Sequence, residues 1–72
     1  MDKFKYYIED CIEELISRSI KETKNADESD NEFDKGKSFA YYEILNFLLN
    51  QADVFQIKEE LKESIRDFSP SF

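Results

Sequence analysis

The apolar residues Phe4, Tyr7, Ile8, Cys11, Ile12, Leu15 and Ile16 recur at spacings of three and four. That period puts them on one face of an amphipathic helix, and the two-residue alternation of a strand is missing. The pattern predicts a first helix over about residues 2–24, with Cys11 as a small apolar member of its buried stripe. Lys21 and Lys24 suit the negative end of the helix dipole, and Asn25 is an acceptable C-terminal cap. A second helix reads from about residue 30 to 54. Ser29-Asp30-Asn31-Glu32 matches the capping box, in which the serine and glutamate side chains each accept an exposed backbone N–H. The connection that remains, Ala26 to Ser29, is short enough to join antiparallel neighbours. The expected fold class is all-α, an antiparallel helical hairpin.

The second helix carries an excess of apolar surface. Of the nineteen residues from Phe39 to Ile57, thirteen are apolar or aromatic. On a wheel of ~100° per residue, Glu43, Asn46, Asn50 and Asp53 gather in one arc while apolar side chains occupy most of the rest. One neighbouring helix cannot cover so broad a face, so a second cover is required. Beyond Val54, Ile57, Leu61, Ile65 and Phe68 keep a helical period, but on a stripe rotated from that of Ile44, Leu48 and Phe55. Asp53 and Gln56 stand at capping-box spacing. The helix therefore continues or kinks into 55–68, or residues 57–68 fold back as a short third helix and cover the second face themselves. Pro70 disfavours helix at Ser69. Residues 1–68 read as a single helical domain and 69–72 as a frayed tail.

Size favours an external cover. A 72-residue chain rarely draws more than ~3–5 kcal/mol from its own core. The single Cys11 cannot form an intrachain disulfide, and without histidine the usual zinc sites are absent. Oligomerisation is the support left, and the expectation is a four-helix bundle formed as a homodimer. The self-association surface is expected at Tyr41, Tyr42, Leu45, Leu49 and Ala52, extended by Val54, Ile57, Leu61 and Ile65. Gly36 and Ala40, with Ile44 four residues further on, are expected to let the two helices approach closely.

The net charge of −7 is local. Residues 1–24 carry six acids and five bases, as do residues 35–72, whereas residues 25–34 carry five acids and no base. The excess is one acidic tip: Asp27, Glu28, Asp30, Glu32 and Asp34. A calcium loop fails on spacing. Counted from Asp27, Glu32 replaces the required glycine and Ser38 the final glutamate; counted from Asp30, Lys35 takes the glycine position. Three of the acids instead suit the positive first turns of a helix. Lys58, Lys62 and Arg66 alternate with Glu59 and Glu63 as solvated rows rather than a phosphate-binding cluster.

Catalysis by cysteine needs a base, and no histidine is present. The nine uncharged residues from Ile44 to Ala52 are far short of a membrane span, and no secretory signal is visible. The reading is a non-catalytic, cytoplasmic protein-interaction module without metal or cofactor, binding neither nucleic acid nor membrane, that self-associates through its second helix. The alternative is a small acidic inhibitor of the immunity or antitoxin type, blocking a basic site on a partner protein through its tip.

Overall fold

The computed structural model describes residues 3–70. The expected helix start at Asp2 and the last two residues of the expected tail, Ser71 and Phe72, lie outside them. Two long helices, α1 (Lys3–Ser29) and α2 (Glu32–Val54), pack against each other as a hairpin. A 3₁₀ turn at Lys58–Glu60 and a one-turn helix, α3 (Glu63–Arg66), follow. The described chain is all-helical and forms a rod of 44 × 20 × 16 Å.

The hairpin is held along a seam. Glu9, Ile12, Ile16, Ser19, Thr23 and Ala26 of α1 alternate at spacings of three and four, and all are buried or half-buried. Ser38, Tyr41, Leu45, Leu48 and Ala52 do the same on α2. This 3.5-residue repeat keeps two helices in register as a coiled-coil pair. The seam changes character along its length. Near the connection it is polar: Ser19 and Ser38 are buried, the Thr23 and Ser38 hydroxyls lie 3.1 Å apart, and buried Glu22 pairs with Lys37 at 3.4 Å. At the opposite, open end it is apolar, with Ile12, Leu45, Leu49 and Ala52 joined by Leu61 and Ile65.

The connection is tighter than the capping-box reading implies. No glycine or proline stands between Lys21 and Asn31, so α1 runs through Asn25 to Ser29. Asp30 takes the left-handed conformation (φ 52°), which Asp tolerates better than most residues. Asn31, not Ser29, is the N-cap of α2, its Oδ1 accepting the Phe33 N–H at 2.8 Å. The Ser29 hydroxyl donates to Asp34 Oδ2 at 2.8 Å and accepts the Asn31 N–H at 3.3 Å.

Helix α2 stops at Val54 through a Schellman reversal. The Ile57 N–H bonds the Ala52 carbonyl and the Gln56 N–H the Asp53 carbonyl, at 2.9 and 3.0 Å. Gln56 supplies the left-handed residue (φ 59°) where glycine is usual. Of the two readings of 55–68, the fold-back is the one adopted. Leu61 and Ile65 join Ile12, Leu45, Leu49 and Ala52 in one buried cluster, and Phe68 packs against it.

Gly36 and Ala40 do not provide the close approach. Both are exposed, and a Cβ added at Gly36 meets nothing within 4 Å. Toward the connection, the small buried residues between the helices are Ser19 and Ser38. Gly36→Ala is therefore expected to stabilise the chain by about 1 kcal/mol through helix propensity alone, read as a higher urea midpoint at unchanged m-value.

Candidate functional site

The fold-back is positioned by one buried acid. Glu9 lies in the α1 seam, 2% exposed, and its Oε2 accepts the backbone N–H of Lys62 at 2.9 Å. Lys62 precedes α3, so a carboxylate of the first helix caps the last one and fixes Leu61 and Ile65 over the core. One turn further along α1, Glu13 accepts from Lys62 Nζ at 2.9 Å. Among the described residues no buried side-chain nitrogen or oxygen lacks a partner.

Because residues 57–68 cover one flank of the hairpin, the other stays open. Along the outer side of α2, Phe33, Lys37, Ala40, Ile44, Phe47, Gln51 and Val54 repeat at alternating spacings of four and three. Helix α2 thus carries two coiled-coil-like stripes, and only one is covered. At the open end of the rod this surface widens. Phe4 and Ile8 of α1 stand beside Ile57, and Ile8 shares a shallow groove of about 170 Å³ with Leu48, Phe55 and Ile57. Phe4, Phe47 and Phe55 are 81%, 61% and 69% exposed. A groove of that size seats one or two apolar side chains, below the several hundred Å³ of a ligand site. Its chemistry is that of a docking surface.

The structure sorts the residues expected at a self-association face into three groups. Leu45, Leu49, Ala52, Leu61 and Ile65 are in the core of the single chain and cannot meet a partner in this conformation. Tyr41 and Tyr42 are half-buried, Tyr42 against the Phe39 ring at 6.1 Å. Val54 and Ile57 are exposed. Phe4, Ile8, Ile44, Phe47 and Phe55 belong to the open surface but not to the expected set. Cys11, expected on the buried stripe, is exposed. The signal for Ile44 and Phe47 was present in the all-round apolarity of α2; what periodicity lacks is which stripe faces inward.

The acidic tip is partly neutralised within the chain. Asp30 pairs with Lys35 Nζ at 2.8 Å, and Asp34 accepts from Ser29. Asp27, Glu28 and Glu32 are exposed. Among the described residues no three of His, Cys, Asp and Glu are grouped to hold a metal ion, and no helix is long and apolar enough to cross a membrane. On the flank of the rod Arg18 bonds Glu14 at 2.9 Å; that bond, then one to Tyr41, raises the guanidinium pKa. Comparisons with family models, curated proteins and solved structures return no match.

Two expectations follow for the clamp. Glu9→Ala leaves the Lys62 N–H without its acceptor and should cost about 1–3 kcal/mol by urea unfolding, while Glu9→Gln, which keeps an acceptor oxygen, should cost less. The Lys62 ammonium is held above its ordinary 10.5 by the hydrogen bond it donates to Glu13 and then by that carboxylate's charge. A raised folded value favours folding fully below the ordinary value and loses that contribution as pH rises through the folded value. Wild-type stability should thus fall above pH 10.5 more than that of Lys62→Met, in paired denaturation series.

Proposed function

We propose that the chain is a non-catalytic helical interaction module whose open-end apolar face binds a second copy of itself. The observation that carries this reading is the concentration of large exposed apolar side chains toward one end of the rod, Phe4, Ile8, Phe47, Phe55 and Ile57, continued by Ile44 midway along the outer stripe of α2. Patches of this kind on small soluble domains mark interaction surfaces. Two physical arguments select a second copy as the occupant.

The first is stability. The buried apolar core consists of Ile12, Leu45, Leu49, Ala52, Leu61 and Ile65, little for a domain without disulfide or metal support. Pairing two open ends would bury the exposed aromatic rings and extend that core across the interface.

The second is charge. The five acids between residues 25 and 34 are clustered at the connection, the far end of a rod 44 Å long. Their repulsion between two copies decays over a Debye length of ~8 Å at physiological salt. Open ends can therefore meet while the acidic tips stay apart. Contact through the tips would bring ten carboxylates together, five from each copy, with the Asp30 of each paired to its own Lys35. The proposed homodimer joins the two hairpins through their open ends, using a different face of α2 from the one expected for a four-helix bundle.

Light scattering coupled to size exclusion at tens of micromolar should give twice the chain mass. Ile44→Glu and Phe47→Glu, both at exposed positions, should give the single-chain mass with an unchanged helical circular-dichroism spectrum. A single-chain mass for the wild type would overturn the reading.

A further inference from the structure

The reversal at residues 55–57 sets two tendencies against each other. Between Gly36 and Pro70 the chain contains neither glycine nor proline, and Ile57, Leu61, Ile65 and Phe68 keep helical spacing, so α2 has a local option to run straight on. It turns instead, through a non-glycine residue held at φ 59°. Left-handed backbone is unfavourable for a residue with a Cβ. The segment that follows has little structure of its own, a 3₁₀ turn and one helical turn. Its place depends on Leu61 and Ile65 in the core and on the Glu9 carboxylate that accepts the Lys62 N–H.

None of those holding contacts requires that the two sides belong to one chain. We propose that Gln56 is the hinge of a segment exchange, in which residues 57–68 close either on their own hairpin or on that of a second copy. When residues 55–57 straighten into helix, Leu61 and Ile65 leave their seats in the core cluster with Ile12, Leu45 and Leu49. Two opened chains fill each other's vacated seats, and the Lys62 N–H of each meets the Glu9 carboxylate of the other. The contacts are the same in both forms. What differs is the backbone at two hinges, which favours exchange, and the entropy of association, which favours closure. The occupant of the opened core is fixed by this symmetry: the segment that fits it is 57–68.

The hinge residue is the test. Gln56→Gly relieves the left-handed position and should favour closure; Gln56→Ala keeps its cost and promotes helix, and should favour exchange. With two hinges per dimer, each contributing both the left-handed cost and the helix preference, the dissociation constants of the two variants should differ by roughly a thousandfold. The exchange is read in a Cys11→Ser background carrying Glu13→Cys and Lys62→Cys, joined by a short bis-maleimide after refolding at micromolar or millimolar concentration. Closed chains link within one chain and exchanged chains link between two. Gln56→Ala refolded at millimolar concentration should give links between chains, Gln56→Gly links within the chain, and the unsubstituted hinge a mixture between them. A dimer formed only through the open-end face has twice the mass yet links within each chain, so the two readings fail separately. Links confined within chains for both Gln56→Ala and the unsubstituted hinge at every concentration would overturn the exchange.

Discussion

The hydrogen bond from the Lys62 backbone N–H to the buried Glu9 carboxylate is the constraint on which the remaining architecture rests. A carboxylate with 2% exposure is costly to bury unless its oxygens are occupied. A backbone N–H at the start of a short helix is likewise an open donor unless something caps it. Each group satisfies the other. Because one stands on the first helix and the other on the last, the bond also sets where residues 57–68 lie. Leu61 and Ile65 then complete the core cluster with Ile12, Leu45, Leu49 and Ala52, and the covered flank of the hairpin is decided. The open flank is what this choice leaves over.

The hairpin itself divides into two halves of different cohesion. Near the connection the seam consists of Ser19, Thr23 and Ser38 with the Glu22–Lys37 pair at 3.4 Å. Such contacts are directional and contribute modestly, since each replaces bonds to water. Toward the open end Ile12, Leu45, Leu49 and Ala52 supply non-directional burial that grows with area. The polar half fixes register and the apolar half supplies stability. A seam of serines alone would hold two helices weakly, and a seam of leucines alone would tolerate sliding. The division also places the residues in need of further cover at the open end, away from the charged connection.

The hairpin was legible because its signals are periodic: the Ile8–Ile12–Leu15 spacing and the short polar connection require two antiparallel helices. Its boundaries were not, because several residues offer competing caps. Asn25 has the chemistry of a C-terminal cap but lies in a run without a breaker, and helix propagation adds a bond per residue once nucleated. Ser29 and Asn31 both cap well; Asn31 takes the role because Asp30 supplies the left-handed turn just before it. The face assignment failed for a different reason. Helix α2 carries apolar residues on two stripes, and a wheel cannot rank Leu45 against Ile44 when both sides qualify. The deciding partner, Glu9, is 53 residues away from Lys62 and reads locally as one more surface acid.

Gly36 shows how far a residue's chemistry can mislead about its place. A lone glycine inside a helix invites a packing explanation because glycine there lowers helix stability. Yet the space around it is open and its backbone is ordinary helix, so the single chain derives nothing from the missing Cβ. Gln56 is the reverse case. The backbone there calls for glycine and the sequence supplies glutamine. Taken together, the chain places its one glycine where helix would be better served by alanine, and a helix-former where the chain must turn. Only the second lowers the free-energy gap between the closed form and alternatives in which α2 runs on, because Gly36 is helical in both. With so small a core, a bias of this size acts on a large fraction of the total stability. Helix α2 thus combines an uncovered apolar outer stripe with a C-terminal reversal made through a residue other than glycine.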